Sequence, residues 1–254
     1  MKNSLFRLDG KVALITGAAT GLGAAIAVTL AHQGADIAIS DKPGVDLSQT
    51  ATQAGEYGHR ILKFAMDVRK MEEISAGVEI VRQEFKRIDI LVNNAGINHP
   101  SAGLNLSEEN WDEHYNTNVK GGFFLAQKVA PMMMEQKWGR VIWISSQSGL
   151  VAIPGQPAYC SSKGAVIQLV RTLGVEWAKY GITVNSVAPT FVITNMTRKR
   201  LEDENFMDYV LNKIPSGKLA EVDDVANAVA FLASDEARMV NCHTLSVDGG
   251  WTAW

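Results

Sequence analysis

Residues 11–23 read KVALITGAATGLG. The first six are mostly apolar and partly β-branched, a run of the length that forms a strand buried on both faces. Glycines follow at 17, 21 and 23, and a helical pattern runs from Gly21 to Gln33. Between a strand and a helix, glycines let the backbone approach a pyrophosphate and leave the first helix N–H groups pointing at it. The spacing is G-x-x-x-G-x-G rather than G-x-G-x-x-G. Any tight strand-to-helix turn can use glycine, so Gly17, Thr20, Gly21, Leu22 and Gly23 are candidate cofactor contacts that need a second signal.

The next run, ADIAIS (35–40), supplies it by ending at Asp41, eighteen residues past Gly23. A carboxylate there accepts hydrogen bonds from adenosine ribose hydroxyls and repels a 2′-phosphate. None of Ala18, Ala19 or Thr20 offers a compensating cation, so the reading is NAD over NADP. Lys42 is the dissenting feature, because it can pair with a phosphate.

Further on come RILKFAM (60–66), a helical segment over 70–86, and the runs IDILV (88–92), RVIWIS (140–145), ITVNSVA (182–188) and TLSV (244–247). The last four are each apolar enough for burial on both faces, with helical patterns between them. This alternation predicts an α/β fold: a single-domain, Rossmann-type doubly wound parallel sheet over residues 1–254, with helices on both faces. No repeat or low-complexity linker marks a second domain. Residues 190–218 carry the charge cluster RKRLEDENF (198–206) and suit a helical substrate lid, although a plain solvated helix reads the same way.

At 254 residues with 46% hydrophobic content, the chain is long enough for a full core. Its net charge of −3 offers no basic field for a nucleic acid or an anionic membrane. Cys160 and Cys242, the two cysteines, lack metal-ligand spacing, which argues against a zinc site or disulfide framework and fits a reducing cytoplasm. The start lacks an export-signal pattern and no run of about 18 apolar residues occurs, so the expectation is a cytoplasmic protein with no membrane span.

Tyr159 and Lys163 stand four residues apart on a predicted helix, which places them on one face. A tyrosine titrates near pH 10 and is a poor base at neutral pH unless a nearby cation favours its phenolate. Lys163 and an oxidised nicotinamide both act in that direction. A lone Tyr-x-x-x-Lys pair more often decorates a helix, so the pair needs support from elsewhere in the chain.

That support is a set of motifs: TGAATGLG (16–23), NNAG (93–96), NTNVKG (116–121), SSQSG (145–149) and YCSSK (159–163). In order and spacing they resemble the short-chain dehydrogenase/reductase family across essentially the whole chain. The resemblance implies a catalytic tetrad of Asn118, Ser146, Tyr159 and Lys163, with Ser146 thirteen residues before the tyrosine. Ser146 holds the substrate oxygen, and Tyr159 takes the alcohol proton as hydride leaves for the nicotinamide. Lys163 bonds the nicotinamide ribose, and Asn118 holds a water that links the lysine to solvent. No metal is needed. The resemblance further implies adenine contacts at Asp67 and Val68, passage of the cofactor beside Asn94, and a carboxamide grip at Val192 and Thr194. Two departures stand out: Thr190 replaces the glycine common after Pro189, and Asn241–Cys242 replace a Thr-Gly turn.

Several residues read as ordinary structure. Cys160 is turned away from Tyr159 by one helical step, and Met132 to Met134 follow core or subunit-contact spacing. His32, His59, His114 and His243 read as surface or turn residues. His99 follows NNAG at the sheet's C-terminal edge and is a candidate substrate contact.

Together with Asn98, Ser146, Gln147, Ser148 and Tyr159, His99 predicts a polar pocket for hydroxyl groups. Similarity within the family is strongest toward polyol, sugar and sugar-acid dehydrogenases, which implies interconversion of a secondary alcohol and a ketone. The alternatives are a 3-oxoacyl thioester reductase using NADPH, and a non-catalytic NAD-binding sensor. The resemblance also implies a homotetramer built through 107–137 and 156–180, with the apolar ending DGGWTAW buried against a neighbour or near the active site.

Overall fold

Alternating side chains of the first strand, β1 (Val12–Thr16), feed two different cores. Ala13 and Ile15 face one cluster, whereas Val12 and Leu14 face the other. The same period of two divides Ile37 and Ile39 from Ala38, Ile90 and Val92 from Leu91, and Ile142 and Ile144 from Val141 and Trp143. A sheet with apolar residues on both faces must be covered on both faces, and a fully buried large aliphatic side chain contributes roughly 1.5–3 kcal/mol.

The computed structural model describes residues 5–253. After β1 come α1 (Gly21–His32), β2 (Asp36–Asp41), α2 (Ser48–Gly55), β3 (Ile61–Ala65), α3 (Met71–Phe85) and β4 (Ile90–Asn93). Then follow α4 (Glu108–Tyr115), α5 (Gly122–Gln136), β5 (Gly139–Ile144), α6 (Pro157–Trp177) and β6 (Ile182–Pro189). The chain continues through α7 (Arg198–Leu201), α8 (Glu204–Lys213), α9 (Val222–Ala233) and β7 (Thr244–Val247). All strand pairings are parallel, in the order β3-β2-β1-β4-β5-β6-β7. The order reverses between β1 and β4, and such a reversal opens a crevice at the carboxyl ends of the strands.

One sequence expectation needs correction, and one element went unread. TLSV is β7, but as the edge strand it is only half-buried at Thr244, Leu245 and Val247 and exposed at Ser246, because no strand among the described residues pairs beyond it. The short helix α2 was not anticipated, since SQTATQAG has little apolar periodicity and buries only Thr50 and Ala54. Residues 190–218 contain α7 and α8, which pack over a third apolar cluster of Ile153, Leu201, Val210, Ile214 and Trp251. Trp251 lies against Phe191 and Tyr209 of its own chain, so it carries no argument for a subunit contact; Trp254 lies outside the described residues. Among the described residues no helix is long and apolar enough to cross a membrane.

Candidate active site

The glycine turn closes on itself at the crevice. Gly17 has φ +63°, and a Cβ there would stand 2.9 Å from the Ala95 Cα. A Cβ at Gly23 would overlap the Gly17 carbonyl and stand 2.5 Å from Asn94 Nδ2. Glycine is therefore required at both positions, by backbone conformation at the first and by close approach at the second. Thr20, the N-cap of α1, makes no side-chain cap, and the first turn holds no acid, so the positive end of the helix is open to an anion.

Asn94 locks this turn from the neighbouring strand. Its Nδ2 donates to the Thr16 and Gly17 carbonyls at 2.9 Å each, while the Asn94 and Ala95 N–H groups donate to Thr16 Oγ1 at 3.1 Å. Asp41, the last residue of β2, accepts from the Ala19 N–H at 3.2 Å and the Lys42 N–H at 2.8 Å. Asp67 is ion-paired with Arg69 at 2.7 Å, which holds its carboxyl below the usual range.

A cavity of about 460 Å³ runs from this turn to the first turns of α6. It brings together every residue expected at the cofactor: Gly17, Thr20, Gly21, Leu22, Gly23, Asp41, Asp67, Val68, Asn94, Tyr159, Lys163, Val192 and Thr194. A glycine cradle open to a helix N-terminus, continuous with a buried lysine, fits a dinucleotide. His99 and Ser146 also line the cavity, as do Lys42, Arg69, Glu113 and Thr190.

Tyr159 and Lys163 are adjacent on one face of α6, with Nζ 5.6 Å from the phenol ring centroid. The helix is anchored under them: Lys163 Nζ donates to the Ile144 carbonyl at 2.8 Å, and Ser145 Oγ donates to the Lys163 carbonyl at 3.1 Å. Burial pulls the lysine down to about 8 and pushes the phenol up to about 12, against the hydrogen bond from Ser146, which lowers it. Without a further positive charge the phenol is neutral at pH 7. Ser146 itself is fixed, because its Oγ accepts the Ser148 N–H at 3.1 Å.

Asn118 sits on a π-helical turn, Asn116–Gly121, between α4 and α5. Such turns re-aim side chains and recur at functional sites. Its amide accepts from the Ile97 N–H at 2.9 Å and donates to the Ile97 carbonyl at 3.1 Å and to Ser162 Oγ at 3.0 Å. It lies behind the main cavity, but a Cβ at Gly96 would be 3.3 Å from its Oδ1 and 3.5 Å from Lys163 Nζ, so these two polar atoms flank one glycine.

Some expectations fare differently. Gln147 and Ser148 are buried but do not line the cavity, and both polar atoms of the Gln147 side chain lack partners. Asn98 is paired with Gln156 at 3.0 Å. Cys160 is half-buried, with Sγ 3.8 Å from the Ile153 carbonyl. His114 is not a surface residue: it is fully buried, its ring stands edge-on to Tyr159 with centroids 6.3 Å apart, and Nε2 accepts the His99 N–H at 3.1 Å. Its ring N–H on Nδ1 faces the Asn110 carbonyl at 2.7 Å, and burial lowers its pKa. The available signal was its position four residues before Asn118, one turn back on the same side. Asn241 and Cys242 form the unusual turn, Cys242 at φ +60° and Asn241 bonding the Val184 N–H and the Gly174 carbonyl. Among the described residues no cluster of ligand-type side chains could hold a metal.

A family model described as Enoyl-(Acyl carrier protein) reductase matches residues 17–252. The chain belongs to the short-chain dehydrogenase/reductase family. As a family member it is an NAD(P)-dependent oxidoreductase. It is similar to D-threitol dehydrogenase of Mycolicibacterium smegmatis, 40% identical over 97% of this chain and 95% of that one. It is similar to 2-dehydro-3-deoxy-D-gluconate 5-dehydrogenase of Dickeya dadantii, 39% identical over 98% of each. A 3-oxoacyl-[acyl-carrier-protein] reductase of Thermotoga maritima is 38% identical over 96% of this chain and 98% of its own length. Among solved structures, a gluconate 5-dehydrogenase of Burkholderia cenocepacia in complex with NADP and tartrate matches with a TM-score of 0.94 and 35% identity, over 98% of each chain.

Proposed function

We propose that this enzyme interconverts a secondary alcohol and a ketone on a polyol, sugar or sugar acid, with NAD as its preferred cofactor. The observation that carries the chemistry is the convergence of Ser146, Tyr159 and Lys163 at one end of the cavity whose other end is the glycine turn. The turn and the start of α1 hold the pyrophosphate, Asp41 the adenosine ribose, Asp67 and Val68 the adenine, and Val192 and Thr194 the carboxamide. When bound, the nicotinamide supplies the hydride acceptor and, in its oxidised form, a positive charge. Ser146 orients the substrate hydroxyl, and Tyr159 Oη takes its proton. The Lys163 ammonium favours the phenolate, and Asn118 connects the lysine toward solvent. Reduction reverses each step.

Asp41 supports NAD because its carboxylate occupies the ribose end of the cavity, already fixed by two backbone N–H groups. Lys42 and Arg69 on the same wall favour NADP, and relatives are known with NADP bound. The polar residues near Tyr159, His99 among them, suit a hydroxylated substrate. The acyl-thioester reading rests on the Thermotoga relative and predicts NADPH instead. The whole chain acts as one catalytic domain in the cytoplasm, 190–218 serves as its lid, and the enzyme assembles as a homotetramer through α4, α5 and α6. Exposed Trp111 and Val175 support those faces, and light scattering reads the mass directly.

The test is reduced-nicotinamide absorbance with paired panels of polyols, sugar acids and 3-oxoacyl thioesters, each with NAD and with NADP. Turnover of polyols or sugar acids with NAD supports the reading. Turnover of thioesters alone, with NADPH, overturns it.

A further inference from the structure

Residues 97–99 follow β4 without regular structure, and Ile97 and His99 line the cavity. A segment with no ladder of its own needs its N–H and C=O groups bonded from elsewhere. Asn118 takes both groups of Ile97. His99 is held in the same way by two residues of α4: its N–H donates to His114 Nε2 at 3.1 Å, and its carbonyl accepts from Asn110 Nδ2 at 3.1 Å. Asn98, between them, donates instead to Gln156 Oε1 at the foot of α6.

Asn110 and His114 stand four residues apart on α4 and so share a face. The partners of the His114 ring admit one neutral tautomer. The His99 N–H can only donate, so Nε2 accepts; the Asn110 carbonyl, 2.7 Å from Nδ1, can only accept, so Nδ1 carries the proton. The ring is fully buried, and that burial lowers its pKa, in keeping with a neutral imidazole. It sits between two rings of the cavity wall, edge-on to His99 with centroids 5.8 Å apart and edge-on to Tyr159 at 6.3 Å. Aromatic rings at these separations orient one another. The wall at His99 and the phenol at Tyr159 therefore share one support.

We infer that His114 is a positioning residue for this reaction: its ring sets the attitude of the Tyr159 phenol, and its Nε2 sets the place of the cavity wall at His99. This rests on the alcohol-to-ketone reading above and adds to it a residue outside the tetrad. The two tasks use different parts of one side chain, so different substitutions separate them.

The experiment measures initial rates with saturating NAD on the polyol and sugar-acid panel, D-threitol and D-gluconate first, for wild type, His114→Phe and His114→Gln. His114→Phe keeps a ring against Tyr159 but leaves the His99 N–H without its acceptor. KM for the alcohol rises roughly 3- to 10-fold, while kcat stays within about twofold. His114→Gln offers Oε1 to the His99 N–H but withdraws the ring. Here kcat falls roughly 3- to 10-fold, while KM stays within about twofold. A merely structural role would lower the melting temperature of both variants and move kcat and KM alike in each, which overturns the inference. Nitrogen-15 NMR of histidine-labelled wild type reads the tautomer directly, so a variant that fails to fold does not shield the inference. A proton on Nδ1 of His114 supports it, and a neutral ring with the proton on Nε2 sinks it. Wild-type turnover without the split between the variants sinks this inference alone. Wild-type silence toward polyols and sugar acids alike sinks the proposed function and this inference with it.

Discussion

Asn94 is held to act through the two hydrogen bonds its amide donates, and a pair of substitutions separates that role from mere bulk. The Thr16 and Gly17 carbonyls each receive Nδ2 at 2.9 Å, and the same nitrogen would stand 2.5 Å from a Cβ at Gly23. Removing the amide in Asn94→Ala deletes both bonds at about 0.5–1.5 kcal/mol each, or about 1–3 kcal/mol in all. For a chain of this size that lowers Tm by roughly 2–10 °C. If the freed turn relaxes before cofactor arrives, binding must restore it, and the Kd for NADH rises by up to roughly 100-fold. Asn94→Asp is nearly isosteric but offers only acceptors to two carbonyls, so it is the more damaging change despite its better fit. Thermal melts with and without NADH, and fluorescence titration of NADH, provide both readouts. An Asn94→Asp enzyme as stable and as tight-binding as wild type would refute the reasoning.

Three further expectations follow from the same geometry. Ser146→Ala removes the hydrogen bond that lowers the Tyr159 pKa, so the pH profile of alcohol oxidation shifts toward alkali and that of reduction holds to higher pH; unshifted profiles would remove Ser146 from contact with the phenol. His114 is neutral in the fold with a pKa below its ordinary value near 6.5, while the unfolded chain takes up the proton. Its contribution to stability is therefore fully present above about pH 6.5 and declines as pH falls toward its folded value. His99, Glu113 and Lys163 all bear on its charge, and melting at pH 7.5 and 5.5 shows a smaller acid loss in His114→Gln than in wild type, whereas equal losses would contradict the assignment. Cys242→Gly relieves a left-handed backbone at φ +60°, offset by lost contact with Gly174, for a net gain of about 1 kcal/mol that chemical denaturation measures; a loss would mean that the thiol packing outweighs the strain.

The fold was legible because its evidence is periodic and local. Alternation in KVALIT and ADIAIS determines which side chains reach which core, and the glycine turn between strand and helix sets the position of the crevice. The shared face of Tyr159 and Lys163 was legible through spacing, since four residues on a helix define a face without any knowledge of tertiary structure, whereas Ser146 and Asn118 entered only through the family resemblance. Long-range packing left less trace. Beyond its place four residues before Asn118, nothing around His114 in sequence shows that the α4 helix turns it inward onto Tyr159, and the polar run QSG after Ser146 gives no sign that Gln147 tucks away from the cavity. The edge position of TLSV depends on strand order, which its four residues do not encode.

The account rests most directly on proton transfer at Tyr159, so the decisive measurement is single-turnover alcohol oxidation by Tyr159→Phe, with NADH affinity determined in parallel. The phenol makes no contact that holds the glycine turn. The variant should therefore bind NADH within roughly twofold of wild type while the hydride-transfer rate falls by about 10²–10⁴-fold. A Tyr159→Phe enzyme that retained the wild-type rate would contradict the assignment of Tyr159 as the proton-transferring residue.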